Sequence, residues 1–78
     1  MNKERRQELF DVISHLDEAI DRVEEIKSDE QDAFDSMPEG FQNSARGDAM
    51  QDAIGQLDGF VGAIENVKDK VLKMVNPS

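Results

Sequence analysis

His15 is the chain's only histidine, and it stands one helical turn after Asp11 and one before Glu18, so on a helix an imidazole and two carboxylates share a neighbourhood. Such a set invites metal binding. A carboxylate-bridged metal bundle, however, presents E-x-x-H motifs backed by further inward glutamates, whereas this segment reads H-x-x-E and lacks the supporting ligands. With no cysteine in the sequence, thiolate metal sites and disulfides are excluded as well. His15 reads as a boundary residue near Asp11, and neither a metal nor a cofactor is expected.

The acids that follow Ser28 pose a calcium question, because an EF-hand loop needs carboxylates at alternating positions, Gly at the sixth and Glu at the twelfth. Counted from Asp29 the sixth residue is Phe34, and no other register does better. Nucleophilic chemistry has no better support. Ser14 adjoins His15 in sequence but points elsewhere on a helix, Ser28, Ser36 and Ser44 have no histidine base, and no glycine loop cradles a phosphate. The expected class is a binding protein and not an enzyme.

Two groups of residues are candidates for binding. Asp29, Glu30, Asp32, Asp35 and Glu39 form an acidic set suited to a basic protein partner. Phe41, Gln42, Asn43, Ser44 and Arg46 cluster at the start of a helix, where free backbone N–H groups and the dipole favour an anion. A small nucleotide would stack on Phe41 and set its phosphate on Arg46. A structural reading competes with this one: Phe34, Met37 and Phe41 plug the end of a bundle, and Arg46 pairs with Asp35 or Glu39. Repulsion of phosphate by the surrounding acids favours the plug.

The elements that hold these groups follow from hydrophobic spacing. Leu9, Ile13, Leu16, Ile20 and Val23 recur every three or four residues, with Val12, Ala19 and Ile26 on the adjoining row, which is the stripe of an amphipathic helix. Asn2 is the expected N-cap, and Pro38 disfavours helical geometry at Met37, so the first helix is expected over about residues 3–37. Its stripe weakens at Lys27 and Glu30 and resumes at Ala33, Phe34 and Met37. Ser28 with Gln31 fits a capping box, so a restart at Ser28 competes with one continuous helix carrying a polar notch. A corner follows over residues 38–43. The second helix, over about 44–75, is capped by Asn43 or Ser44 and ended by Asn76-Pro77-Ser78. Its stripe is Met50, Ile54, Leu57, Val61, Ile64, Val71 and Val75, with Ala53, Phe60, Val67 and Met74 adjoining and Lys68 in a seam position.

Two arms of equal length joined by a short corner make an antiparallel hairpin within a single domain of 78 residues. Each arm has a wider apolar stripe than one partner covers, and a chain this small holds only about 3–5 kcal/mol from its own core. The expected fold is therefore all-α, an antiparallel helical hairpin that self-associates into a four-helix bundle or larger helical oligomer. Val12, Leu16, Ala19, Val23, Ile26, Gly55 and Gly59 are the candidate interface residues. The two glycines share a helix face and each costs about 1 kcal/mol against Ala, an expense that close approach of another helix would explain.

Eighteen acidic and nine basic residues leave a net charge of -9, which argues against direct binding to nucleic acid or anionic membrane. The charges are also sorted along the hairpin. Residues 17–39 carry ten acids against Arg22 and Lys27, whereas the open end carries Lys3, Arg5, Arg6, Lys68, Lys70 and Lys73 against Glu4 and Asp69. One pole is expected to be acidic and the other mildly basic. A purely acidic DNA mimic ranks last, because the second arm is poor in acids after Asp58. No apolar run is long enough to span a bilayer, and the start MNKERRQELF has no signal-peptide core, so a cytoplasmic setting is expected.

The segment DEQDAFDSMPEGFQNSARGDAMQDAI, from Asp29 to Ile54, resembles a pattern found in small acidic proteins of bacteriophages and prophage regions. That pattern runs D-E-E-Q-x-A-F-D-N-M-P-E, then L-Q-x-S-x-R-G, then an acidic amphipathic helix. Asp29, Glu30, Gln31, Phe34, Asp35, Met37, Pro38, Glu39, Gln42, Ser44, Arg46 and Gly47 match it, while Phe41 replaces Leu and Ser36 replaces Asn. The resemblance covers about a third of the chain and transfers no catalytic residue. It implies a phage origin and a bacterial host cell as the setting, and by analogy an accessory or anti-defence protein that binds and blocks a host protein.

Overall fold

A computed structural model describes residues 1–76, and the expected helix-ending role of Pro77 and Ser78 lies outside them. Among the described residues the chain is all-α: α1 spans Lys3–Asp35, α2 is one turn at Glu39–Gln42, and α3 spans Ala45–Val75. Asn2 caps α1, its Oδ1 accepting from the Arg5 N–H at 2.8 Å, and the extended backbone of Asn2 sets the entry angle. Ser44 caps α3 in the same way, accepting from Gly47 N–H at 3.3 Å. α1 runs without a break through Ser28, so the capping-box geometry at Ser28 and Gln31 does not form.

α1 and α3 pack against each other as an antiparallel pair measuring 58 × 16 × 15 Å. Burial picks out one seam from each helix. In α1 the half-buried or buried positions include Leu9, Ile13, Leu16, Ile20, Val23, Lys27, Glu30 and Phe34; in α3 they include Gly47, Met50, Ile54, Leu57, Val61, Ile64, Lys68, Val71 and Val75. Both sets step by alternating threes and fours, the seven-residue repeat of a two-stranded coiled coil. Two ion pairs set the register, Lys27 Nζ to Asp58 Oδ1 at 2.8 Å and Lys68 Nζ to Asp17 Oδ1 at 2.5 Å. In that register Ile20 lies level with Ile64 and Val23 with Val61.

The core is thin. Only Ile13, Val61 and Val75 are buried hydrophobics among the described residues, and no large side chain is fully enclosed. The accessible surface is 5854 Å², against roughly 4800 Å² for a compact monomer of this mass. The radius of gyration, 17.6 Å, likewise exceeds the ~11.5 Å of a globular chain of this length. Two rods side by side cannot bury more than one stripe each.

Candidate protein-interaction surfaces

The corner is held by hydrogen bonds from residues that the seam does not use. The Ser36 N–H and Oγ both donate to the Asp32 carbonyl, at 3.0 and 2.8 Å, closing α1 before Pro38 turns the chain. Gln42 then reaches back from α2, its Nε2 donating to the Phe34 carbonyl at 3.1 Å and the Met37 carbonyl at 3.2 Å. The Phe34 carbonyl, which also accepts from the Met37 N–H at 3.1 Å, belongs to the last turn of α1, and the Met37 carbonyl lies just beyond it. The Ser44 hydroxyl donates to the Phe41 carbonyl and ties α2 to the start of α3.

This frame holds the acids outward. Asp29, Asp32, Asp35 and Glu39 are exposed, and Glu30, at a seam position, is half-buried. Asp35 accepts from Gln31 Nε2 at 3.0 Å; no cation lies within ion-pair distance of any of the five among the described residues. Helical spacing extends the set, since Glu18, Asp21, Glu25, Asp32 and Asp35 recur every three, four or seven residues on the solvent side of α1. The acidic surface is thus a ridge along the outside of α1 that ends at the corner.

The structure separates the residues of the nucleotide reading. Gln42 is spent on α1's carbonyls and Ser44 on its capping bonds, while the exposed Asn43 makes no side-chain hydrogen bond among the described residues. Phe41 and Arg46 do lie together, lining a shallow depression with Met37 and Pro38. The plug also takes a different form from the one expected. Phe34 and Met37 are half-buried at the bundle end, but Phe41 is 61% exposed and outside it, and Arg46 pairs with neither Asp35 nor Glu39. α2 turns its Phe41 edge to solvent because Gln42, not Phe41, faces the end of α1.

Of the five glycines, Gly47 is the one that other backbone approaches closely. It occupies a seam position, where a Cβ would collide with the Gln42 carbonyl oxygen and sit 2.6 Å from its carbon and 2.8 Å from the Phe41 oxygen. In the sequence Gly47 stands out only as a position of the phage-type pattern; its further signal is a glycine at a step of the repeat that calls for an apolar side chain.

The two seam lysines lean to the same side of the hairpin, where Asp17, Glu24, Asp58 and Glu65 lie. Both amines are held above the ordinary lysine pKa, first by the hydrogen bonds from Lys27 to Asp58 and from Lys68 to Asp17. A raised folded-state pKa contributes stability that is complete below the unfolded value and is lost as pH rises through the folded one. Thermal melts are therefore expected to hold steady at neutral pH and to fall above about pH 10.5. The Lys27→Arg/Lys68→Arg variant, whose guanidiniums stay charged, falls less; identical profiles would disprove this role.

Between Arg5 at the open end and Arg46 at the corner, the opposite flank is apolar. Val12, Ala19, Ile26 and Ala33 of α1 lie along it with Ala53, Phe60, Val67 and Met74 of α3, because the residue before each alternate seam position faces that side in both helices of an antiparallel pair. Val12 and Met74 meet there, lining one depression with Met1 and Leu9 and, at its rim, Arg5 and Glu8. Val12, Ile26, Phe60, Val67 and Met74 are 41–63% exposed.

No protein-family model matches the chain, and no curated protein or solved structure matches it.

The candidate interface residues divide among three places. Val12, Ala19 and Ile26 lie on the apolar flank, while Leu16 and Val23 are half-buried in the seam between α1 and α3. Gly55 and Gly59 face open space on the outer side of α3, about a third of a turn from the flank. α1 comes within contact of neither glycine. No group of three or more metal-ligating side chains occurs among the described residues, and His15 is exposed. No helix among them is long and apolar enough to cross a membrane.

Proposed function

We propose that this protein is a non-enzymatic, homo-oligomeric interaction module of phage origin, an accessory or anti-defence protein that captures and blocks a basic host protein. The observation that carries the reading is the acidic ridge ending at Asp29, Asp32, Asp35 and Glu39. These carboxylates are exposed, unpaired with any cation among the described residues, and mounted on α1 and the α2 turn, which Ser36 and Gln42 tie together. A rigid array of like charge raises the on-rate for a cationic partner and repels nucleic acid and anionic lipid. The setting proposed is the bacterial cytoplasm.

The Asp32→Lys/Asp35→Lys variant tests it. The variant is expected to lose at least ~10-fold in capture of a basic host protein from bacterial lysate while keeping its helical circular dichroism, because both side chains point to solvent. Capture at wild-type level would overturn the proposal. A second reading, sequestration of a small nucleotide, draws on the depression that Phe41 and Arg46 share. Calorimetry with cyclic nucleotides separates the two: heat that vanishes in Arg46→Ala supports the second reading and silence removes it.

A further inference from the structure

The proposed oligomer leaves open which surface joins the copies and how they are oriented. We infer that the apolar flank of Val12, Ile26, Phe60 and Met74 docks a second copy of this chain, antiparallel, with the acidic corner of each copy beside the basic open end of the other. The inference deepens the self-association in the proposed function and does not depend on its host target.

Three observations choose a second copy as the occupant. The first is area. One long side of the hairpin measures 58 by 16 Å, roughly 900 Å² in projection, which meets the ~800 Å² per partner of a stable interface. The excess of accessible surface over that of a compact monomer, about 1000 Å², is of the same size.

The second is self-complementarity. The two apolar rows are level with each other across the hairpin, Val12 beside Met74 and Ile26 beside Phe60 in the register set by the ion pairs. Turning a second copy about a twofold axis through the middle of the flank sets Ile26 of one α1 beside Ala19 of the other, large against small. The result is a four-helix bundle in which the eight flank residues become a second core layer. The charged flank with Asp17, Glu24, Asp58 and Glu65 offers no such surface, because burying those carboxylates against a copy of themselves would place like charges together without water.

The third is charge, and it selects the orientation. Residues 17–39 carry ten acids against two bases, and the open end carries the excess of lysine and arginine. Corner-to-corner docking stacks two acidic poles; corner-to-end docking puts each acidic pole against a basic one. Arg5 continues the row of Val12 one heptad nearer the open end and lines the depression there, so it comes level with Glu39 of the other copy. The acidic ridge is more than a quarter-turn of α1 away from the flank and stays exposed in the dimer.

The experiment uses the full chain, which has no native cysteine, with a spin label at Gly40→Cys, a position with nothing within 4 Å of an added side chain. Antiparallel docking separates the labels by about 50 Å, the length of α1 at 1.5 Å per residue. Sedimentation of wild type at micromolar concentration is expected to give twice the 8.8 kDa chain mass. Ile26→Asp/Phe60→Asp is expected to weaken self-association at least ~100-fold, since a carboxylate buried at an interface lacks a partner. A fully helical wild-type monomer, or labels closer than about 25 Å, overturns the inference even if the double variant proves too unstable to read. Loss of host-protein capture with the dimer intact would instead strike only the ridge reading.

Discussion

Gly47→Ala is expected to lower the thermal midpoint by about 10 °C, corresponding to ~2 kcal/mol for a domain of this size. The added methyl group has nowhere to go. Its carbon would lie 2.6 Å from the Gln42 carbonyl carbon and 2.8 Å from the Phe41 oxygen, and both are backbone atoms of α2. Relief requires α2 to lift from α3, which pulls Gln42 away from the Phe34 and Met37 carbonyls and breaks the two hydrogen bonds that tie α2 to the end of α1. No positive φ is involved at any glycine of the described residues, so the constraint is space alone. Gly55→Ala and Gly59→Ala supply the contrast. Both sites face open space inside a helix, and each replacement is expected to raise stability by about 0.5–1 kcal/mol. Differential scanning calorimetry of the three variants decides the matter, and a Gly47→Ala midpoint within ~2 °C of wild type would show that the corner yields at little cost.

Val61→Asp is expected to abolish the helical circular dichroism signal at 25 °C. Val61 is 7% exposed at the middle of the seam, level with Val23, and the two seam lysines are already paired with Asp58 and Asp17. Burying an unpaired charge costs several kcal/mol, as much as the ~3–5 kcal/mol that a core of this size supplies. The same substitution at Val67, which is 49% exposed on the apolar flank, leaves the carboxylate in water in the separate hairpin. Val67→Asp is therefore expected to cost far less helicity and to act on self-association. Equal loss of signal in the two variants would mean that the seam and the flank are a single cooperative core, folded only as an oligomer.

The seam lysines show how one position serves two requirements. Lys27 and Lys68 occupy steps of the repeat where an apolar side chain packs best, yet each bends its amine to a carboxylate on the opposite helix. A polar residue at a single seam step selects register at some cost in stability. The pairs recur at two heights, and slipping one helix by a turn would break both together. Placing both lysines toward the charged flank also leaves the middle of the other flank, from Val12 to Ala33 and from Ala53 to Met74, free of charge.

Much of this architecture was legible in the residues themselves. The hydrophobic stripes, the caps at Asn2 and Ser44 and the corner at Pro38 are local features, set by periodicity and by backbone groups a few residues apart, so they could be read along the chain. The sorting of charge toward the corner was legible for the same reason. Three things were decided only in the folded chain. Phe41 fell outside the bundle end while Gln42 took its place, because the path of α2 depends on both helices at once. Gly47 became the point where two backbones meet, which no spacing along one helix reveals. The rows containing Val12 and Phe60 came to share a flank because the arms run in opposite directions in a register held by Lys27 and Lys68. A stripe specifies which face of a helix is apolar; the pairing of two helices specifies which part of that face is covered and which part is left for another molecule.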